Sequence, residues 1–238
     1  MITIKEIAKM IDHSILQPMH TDEDLSKQCE VALKYDVASV CVKPYAVKKA
    51  AEKLAGSSVQ VGCVIGFPHG NSSTKVKVFE AEQACLDGAT EVDMVINIGK
   101  TLGGDWDYVE TEIKAVTDIC HRNDAIVKVI FENDFITKAE DKIRLCEICT
   151  RVGADFVKTS TGYGFVKQPN GDFNYKGATL DDVKLMRKYS GPKVQVKCAG
   201  GVRTLDDLLK MREAGATRSG ATATEAILTE ATKRFGEK

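Results

Sequence analysis

The strongest constraint on the fold of this 238-residue chain is a glycine-alanine pair that recurs at a regular interval. It occurs at Gly88, Gly153 and Gly215, each time after a helical pattern and before an apolar run, with spacings of 65 and 62 residues. Glycine at that point supplies the left-handed residue that ends many helices. A strand and its following helix take about 30 residues, so each spacing holds two such units and the chain holds eight. The repeat predicts alternating strands and helices around a parallel sheet.

Short apolar runs rich in valine and isoleucine predict the strands of this sheet. Runs without clean alternation of polar and apolar positions are typical of strands that are buried on both faces. Six runs have this character and two weaker ones complete the set: Ala38–Val42, Val59–Ile65, Glu91–Ile96, Ile126–Phe131, Phe156–Thr159 and Val194–Lys197, with Ile11–Ile15 and Thr217–Gly220 as the weaker pair. Eight strands predict a (β/α)8 TIM barrel with a short N-terminal helix, and a doubly wound open sheet is the alternative. No linker divides the chain, so residues 1–238 are expected to form a single TIM-barrel domain.

Threonines followed by acidic residues predict where four of the helices begin. Thr21 precedes an acidic stretch, and Thr137, Thr179 and Thr204 each have an acidic residue three positions later. In such a capping box the threonine hydroxyl accepts a hydrogen bond from a backbone N–H of the first helical turn. We therefore expect each of these threonines to cap a helix.

The overall composition excludes several classes of protein. Hydrophobic residues make up 43% of the chain, which is enough for a buried core and excludes disorder. The 33 basic and 34 acidic residues nearly cancel, so neither a nucleic acid nor a membrane is an expected partner. The eight cysteines are scattered without paired metal-binding motifs, so no metal and no other cofactor is predicted. Charges replace the apolar region of a signal peptide, and no apolar run could span a bilayer, so a cytoplasmic location is expected.

Four charged residues lie inside apolar strand patterns: Asp93, Lys128, Lys158 and Lys197. A lysine in a strand commonly belongs to an exposed edge or extends its ammonium group to solvent. A closed barrel has no edge, however, and a buried charge must be paired or have a shifted pKa. Since catalytic groups of barrels gather at the carboxyl ends of the strands, these four side chains are candidates for a catalytic site.

Lys158 and Lys197 fall on the sixth and seventh predicted strands, whose backbones lie about 4.8 Å apart. Two ammonium groups about 5 Å apart repel each other by about 3 kcal/mol at an effective dielectric constant of 20. That repulsion lowers the pKa of one lysine by roughly two units, and burial adds to the effect. A neutral amine is the nucleophile that Schiff-base chemistry needs, and Asp93 and Lys128 could hold a proton-shuttling water beside it.

Glycines after the late strands indicate what the substrate carries. Gly162, Gly164, Gly200, Gly201 and Gly220 all follow strands in the last third of the chain. Barrels commonly bind phosphate there through backbone N–H groups, and glycine lets the anion approach the backbone. Ordinary turn formation is the alternative for any one of them, but the cluster favours a phosphate site.

Together, these motifs resemble those of the deoxyribose-phosphate aldolases, a family of class I aldolases built on a barrel. The resemblance runs from Asp12-His-Ser-Ile-Leu16 to the region of Gly220. The matching segments are Ala38-Ser-Val-Cys-Val42, Val64-Ile-Gly-Phe-Pro68, Glu91-Val-Asp-Met-Val-Ile-Asn97, Lys128-Val-Ile, Ala154-Asp-Phe-Val-Lys-Thr-Ser-Thr-Gly162 and Gly200-Gly-Val-Arg-Thr204. The last two segments in this order are highly specific to the family.

The resemblance implies a role for each charged residue. Lys158 would be the Schiff-base lysine, and Lys197 the neighbouring ammonium group that lowers its pKa. Asp93 would act with Lys197 and a water in proton transfer, and Lys128 would order the same network. The implied reaction is the reversible cleavage of 2-deoxyribose 5-phosphate to acetaldehyde and glyceraldehyde 3-phosphate, with the protonated imine as electron sink in place of a metal.

The resemblance also implies residues that line the site. Asp12 and Cys41 fall on positions that line the family's active site. The implied phosphate-binding residues are Gly162, Gly200, Gly201 and Gly220, with Thr222 as a possible hydroxyl donor. A small phosphorylated sugar is therefore the expected substrate, and we expect a homo-oligomer, either a dimer or a tetramer.

Two segments depart from the family pattern. The stretch Tyr163–Lys176 replaces a short turn, and it predicts either a surface hairpin or a lid that reshapes the phosphate end or contacts another subunit. Adjacent serines after Gly220 are common in the family, but this chain has Ala221-Thr222-Ala223-Thr224. These differences leave two alternatives open: a Schiff-base aldolase with a different aldehyde acceptor, and a non-catalytic phosphosugar-binding barrel.

Overall fold

The computed structural model describes residues 2–236, within which eight parallel strands close into a barrel. The strands are β1 Ile11–Ile15, β2 Ser39–Val42, β3 Gln60–Ile65, β4 Glu91–Val95, β5 Ile126–Ile130, β6 Phe156–Lys158, β7 Val166–Lys167, β8 Phe173–Asn174, β9 Gln195–Ala199 and β10 Arg218–Ala221. All but β7 and β8 belong to the barrel, and β1 pairs with both β2 and β10. This closure confirms the predicted TIM barrel and excludes the open sheet.

Helices surround the barrel and alternate with its strands. They are α1 Ile4–Ala8, α2 Asp22–Tyr35, α3 Val47–Leu54, α4 Thr74–Leu86, α5 Ile98–Leu102, α6 Trp106–Arg122, α7 Ala139–Val152, α8 Leu180–Tyr189, α9 Leu205–Glu213 and α10 Thr224–Phe235, with a 3₁₀ turn at Pro44–Ala46. The short N-terminal helix is α1, as expected. Within residues 2–236, none of the helices has both the length and the apolar character needed to cross a lipid bilayer.

All eight predicted barrel strands are present, with ends that differ from the predicted ends by no more than two residues. The three glycines of the repeat have φ angles of 108°, 82° and 112° at Gly88, Gly153 and Gly215. Each lies one or two residues after the end of a helix, in the left-handed region that favours glycine. The repeat therefore marks the helix ends that it predicted.

Three of the four predicted threonine caps are present. The hydroxyls of Thr21, Thr179 and Thr204 each accept a hydrogen bond from the backbone N–H three residues later. The prediction for Thr137 is wrong, because α7 begins one residue further along, after Lys138, whose side chain makes no capping bond. The acidic residues of the first turn of α7 remain there to interact with the positive end of the helix dipole.

Successive side chains of a strand point to opposite faces of the sheet, which divides the buried side chains of the barrel into two sets. On β4 and β5 the apolar residues Val92, Met94, Val127 and Val129 belong to the hydrophobic core. Asp93 and Lys128 alternate with them, and therefore point to the opposite face of the sheet. The core thus lies between the strands and the helices, whereas charged side chains fill part of the barrel interior.

Candidate active site

Asp93 is the centre of a buried cluster of charged side chains. Its Oδ2 atom lies 2.7 Å from Nζ of Lys158 and 2.7 Å from Nζ of Lys197, and its Oδ1 atom lies 3.0 Å from Nζ of Lys128. Strand register brings them together, because Asp93 pairs with Lys128 across β4 and β5, and Lys158 pairs with Lys197 across β6 and β9. One carboxylate therefore bridges three lysines.

A second group of ion pairs extends this cluster. Oδ2 of Asp12 lies 2.5 Å from Nζ of Lys197 and 3.2 Å from Nζ of Lys128. Oε2 of Glu91 lies 2.6 Å from Nζ of Lys128, and its Oε1 lies 2.7 Å from Nη2 of Arg218, which also pairs with Asp12. Glu91 and Arg218 were not predicted from the sequence, although both lie on strands.

The charges of this cluster do not balance when every group is ionised. In the described part of the chain it contains four cationic side chains and three carboxylates: Lys128, Lys158, Lys197 and Arg218 against Asp12, Glu91 and Asp93. A buried excess charge is costly, and it disappears if one lysine is neutral. The cluster therefore favours one neutral amine.

The pKa directions identify Lys158 as that amine. Burial lowers the pKa of Lys158, the Lys197 ammonium group lowers it further, and the Asp93 carboxylate opposes both. Burial also disfavours the charged form of Lys197, but the carboxylates of Asp12 and Asp93 outweigh it and raise the pKa of that lysine. Nearby carboxylates also outweigh burial at Lys128 and raise its pKa well above the usual value of a lysine. Lys158 is thus the lysine of this cluster whose amine is most easily neutral.

A cavity of about 240 Å³ opens at the carboxyl ends of the strands. Of the seven cluster members in residues 2–236, Lys158 alone lines it. The cavity also contacts every residue that the family resemblance implies for phosphate binding: Gly162, Gly200, Gly201, Gly220 and Thr222. The cluster therefore lies beneath the cavity floor, and its Lys158 amine is the part that a ligand can reach.

Gly200 illustrates why glycine is needed at the wall of this cavity. Its φ angle is 86°, and a Cβ atom placed on it would lie 3.0 Å from Cα of Gly177. A larger residue would therefore force apart the two loops that meet there. The sequence pattern predicted this wall, but it did not predict Arg203, which lines the same cavity.

Cys41 lies beside the cavity in a small apolar cluster with Leu16 and Val64, against which Phe67 and Tyr163 pack. Burial raises the pKa of its thiol, with the Asp93 carboxylate acting in the same direction. The thiol is therefore protonated at neutral pH. Its position fits packing beside the site.

Gly164 has a different neighbour from the other glycines of the pattern. A Cβ atom on Gly164 would lie 2.7 Å from the carboxyl carbon of Glu132. Glu132 follows β5, is fully buried and has a φ angle of 58°. Gly164 thus makes room for this carboxyl group rather than for an anion in the cavity.

Glu132 was missed from the sequence, although a charged residue directly after a barrel strand is itself a signal. Its Oε2 atom accepts a hydrogen bond of 3.2 Å from the backbone N–H of Thr161 and a second bond from the Thr161 hydroxyl. Burial raises the pKa of Glu132 to about 7. Its contacts hold the turn that carries Gly162 into the cavity wall.

The segment Tyr163–Lys176 forms the predicted hairpin. Strands β7 and β8 pair in antiparallel fashion, with Val166 opposite Asn174. The two tyrosines that flank the hairpin, Tyr163 and Tyr175, line the cavity. The segment is therefore a hairpin that also forms part of the cavity wall.

Comparison with known proteins identifies the family of this chain. The model of the DeoC/LacD family aldolases matches residues 6–229. A deoxyribose-phosphate aldolase of Rhodopirellula baltica is 51% identical over 231 residues, which covers 97% of this chain and 91% of that protein. An aldolase named QR15 superposes with a TM-score of 0.85 at 36% identity, covering 96% of both chains. A tetrameric deoxyribose-phosphate aldolase of Aeropyrum pernix superposes with a TM-score of 0.84 at 28% identity, covering 96% of this chain and 92% of that one. The chain belongs to the DeoC/LacD family of aldolases.

Proposed function

We propose that this aldolase reversibly cleaves 2-deoxy-D-ribose 5-phosphate to acetaldehyde and D-glyceraldehyde 3-phosphate through a Schiff base on Lys158. The observation that carries the proposal is the position of Lys158, whose buried amine belongs to a cation-rich cluster and reaches the cavity. The similar proteins from Rhodopirellula baltica and Aeropyrum pernix are deoxyribose-phosphate aldolases, which supports this choice of substrate.

In the direction of synthesis, the neutral amine of Lys158 adds to the carbonyl carbon of acetaldehyde. The carbinolamine loses water and becomes a protonated imine, which draws electrons from the adjacent methyl group. Loss of a methyl proton gives an enamine, whose terminal carbon forms a new bond to the aldehyde carbon of glyceraldehyde 3-phosphate. Water then hydrolyses the resulting imine, which frees the product and restores the Lys158 amine.

Asp93 and Lys197 serve the proton transfers of this cycle. Lys197 remains protonated because Asp12 and Asp93 raise its pKa, so it is a cation beside Lys158 throughout. Three lysines hold the pKa of Asp93 well below its usual range even though burial acts to raise it, so its carboxylate orients the amines and a bound water. Lys128 fixes the second oxygen of Asp93, and Asp12 holds Lys197 from the other side.

The glycine-rich wall suits the phosphate group of the substrate. Gly162, Gly200, Gly201 and Gly220 bring backbone to the cavity surface, and Thr222 adds a hydroxyl. Arg203 supplies a positive charge on the same wall. Backbone N–H groups together with a guanidinium group are the donors that phosphate prefers in proteins.

Reductive trapping tests the mechanism and the residue together. Borohydride added in the presence of acetaldehyde should attach one two-carbon unit to Lys158, located by peptide mapping. Lys158→Ala should give no adduct, and Lys77, a buried lysine outside the cavity, should stay unmodified in both proteins. An unlabelled wild type would refute the proposal and favour a non-catalytic barrel. A Lys158→Ala variant that still carries the adduct would refute the assignment to Lys158, because another amine would then form the Schiff base.

We further propose that residues 1–238 act as one aldolase domain in a cytoplasmic homo-oligomer. The tetrameric relative from Aeropyrum pernix supports association, as do the exposed Tyr45, Val76 and Phe79 that line one groove. All eight cysteines lie within residues 2–236 and are free thiols, which suits a reducing compartment. Light scattering of the purified protein should give two or four times the mass of one chain, and a monomer would contradict this proposal.

A further inference from the structure

Two tyrosines of the active-site cavity have no part in the chemistry described above. Tyr163 lies just before the hairpin strand β7, and Tyr175 lies just after β8. Both line the same cavity as Lys158 and Arg203. A ligand that fills the cavity therefore lies beside both tyrosines.

The end of the hairpin that carries Tyr175 is fixed to the barrel. The carboxylate of Asp134 accepts hydrogen bonds of 2.5 Å from the backbone N–H of Lys176 and 3.1 Å from that of Gly177. The backbone N–H of Ala178 then donates a bond of 3.1 Å to the carbonyl oxygen of Gly200. Tyr175 is thus tied within three residues to a glycine of the cavity wall, which holds it in place before a ligand arrives.

Aromatic neighbours orient the two rings. Phe165 packs edge-on against Tyr175, and Phe67 packs edge-on against Tyr163, each with ring centroids 5.5 Å apart. Burial raises the pKa of Tyr163, and the nearby Tyr175 adds to this effect, so the Tyr163 phenol stays protonated at neutral pH. The hydrogen bonds that these tyrosines donate within residues 2–236 come from their backbone N–H groups, to the side chains of Thr161 and Asn174. Their phenol O–H groups are therefore free to donate to a ligand.

The segment after β10 leaves room for additional hydroxyl donors. Thr224 is buried, and its Oγ1 atom lies 2.7 Å from Nδ1 of His13, so its hydroxyl is already engaged. Thr222 is the threonine of that segment that lines the cavity. A phosphoryl group has several oxygens to satisfy, and the hairpin brings phenol donors to the same space.

We propose that Tyr175 is a specificity-determining residue whose phenol donates a hydrogen bond to the phosphoryl group of the acceptor aldehyde. Tyr163 forms the adjoining wall and contributes less. This inference rests on the proposed function for the identity of the ligand. It assigns to the hairpin a preference for phosphorylated acceptors over neutral ones of the same length.

Calorimetric titration with glycerol 3-phosphate, an unreactive analogue of the acceptor, tests the contact without turnover. Tyr175→Phe removes only the hydroxyl, and should weaken binding about tenfold, as expected for one hydrogen bond to a charged group. Tyr163→Phe should have a smaller effect. Tyr189→Phe, an exposed tyrosine at the end of α8, is the matched control and should bind like the wild type.

Steady-state kinetics gives the second measurement. Tyr175→Phe should raise KM for glyceraldehyde 3-phosphate by a similar factor and leave KM for unphosphorylated glyceraldehyde unchanged. An unchanged dissociation constant in Tyr175→Phe, an effect of Tyr163→Phe at least as large, or an equal rise in KM for both aldehydes would overturn the inference. Failure of the borohydride trap would refute the proposed function instead, and the calorimetric result would still decide the role of Tyr175.

Discussion

Two lysines of this barrel are buried beside carboxylates, yet they differ in what they can do. Lys158 lies 2.7 Å from Asp93, and Lys77 of helix α4 lies 2.9 Å from Glu112 of helix α6. Burial is the largest influence on both lysines and lowers the pKa of each. By burial, pairing and pKa direction alone, the two lysines are alike.

Their surroundings separate them. Nζ of Lys77 also donates a hydrogen bond of 2.8 Å to the carbonyl oxygen of Val95, and a Cβ atom on Gly66 would lie 2.8 Å from its Cε atom. Lys77 is thus enclosed by protein, with one carboxylate for its one charge. Lys158 has a cavity of about 240 Å³ in front of it and a second ammonium group beside its own carboxylate. A lowered pKa therefore reports burial, and reactivity requires in addition a space in which a carbonyl carbon can approach the amine.

The largest expected effect is the loss of activity in Lys158→Met. Without the amine no Schiff base can form, so kcat/KM for 2-deoxyribose 5-phosphate should fall by at least about 10⁴-fold, which is more than about 5 kcal/mol. Asp93 keeps two lysines as partners, so the free energy of unfolding should change by less than about 1 kcal/mol. Enzyme assays and urea denaturation measure the two quantities. A variant that retains a tenth of the activity would remove Lys158 from the mechanism.

Lys77→Met should show the opposite pair of effects. It leaves Glu112 buried without its cation, which should lower the free energy of unfolding by about 3–5 kcal/mol. Activity per folded molecule should stay within about twofold of the wild type, because Lys77 does not contact the cavity. Urea denaturation followed by circular dichroism measures the loss. Full stability together with lost activity would mean that Lys77 acts in catalysis after all.

Much of the Lys158 region could be predicted from the sequence, because a lysine inside an apolar strand is an unusual pattern. Closure of the barrel then removes the exposed edge that would explain it otherwise. Strand order along the chain placed Lys158 beside Lys197, which the register confirms. Positions of this kind follow from strand order alone.

The Lys77 region offered no such signal. Lysine and glutamate are ordinary residues on helices, and the pairing of Lys77 with Glu112 depends on how α4 and α6 pack. Arg203 and Tyr175 reach the cavity from loops, whose conformation depends on contacts such as those of Asp134. Tertiary packing sets these positions, and the spacing of residues in the sequence does not predict that packing.

Lys197→Met tests the part of the comparison that concerns the second ammonium group. Lys197 lowers the pKa of Lys158, so its removal should raise that pKa and reduce the neutral amine at a given pH. The acidic limb of the kcat/KM profile should therefore move to higher pH, and activity at pH 7 should fall by up to about 100-fold, given a repulsion of about 3 kcal/mol. Burial, the largest cause, is unchanged, so the pKa should stay below that of a free lysine.

The pH profile distinguishes this role from direct proton transfer. Lys77→Met is the matched control, since it removes a buried lysine outside the cluster and should leave the acidic limb in place. If Lys197→Met lowers kcat while the limb stays at the wild-type pH, Lys197 acts as a proton donor and not on the pKa of Lys158.

The smallest expected effect comes from replacing both members of the enclosed pair. Lys77→Met combined with Glu112→Leu removes the two buried charges together, so no uncompensated charge remains. The cost should be about 1–2 kcal/mol, because the carbonyl oxygen of Val95 and the backbone N–H of Asn97 lose the partners that Lys77 and Glu112 provide. The double variant should therefore be more stable than Lys77→Met alone in urea denaturation. The single variant Glu112→Leu completes the comparison. If the stability lost by the double variant equals the sum of the losses of Lys77→Met and Glu112→Leu, the two charges do not act as a pair. The contrast between the enclosed Lys77 and the accessible Lys158 would then depend on the cavity alone.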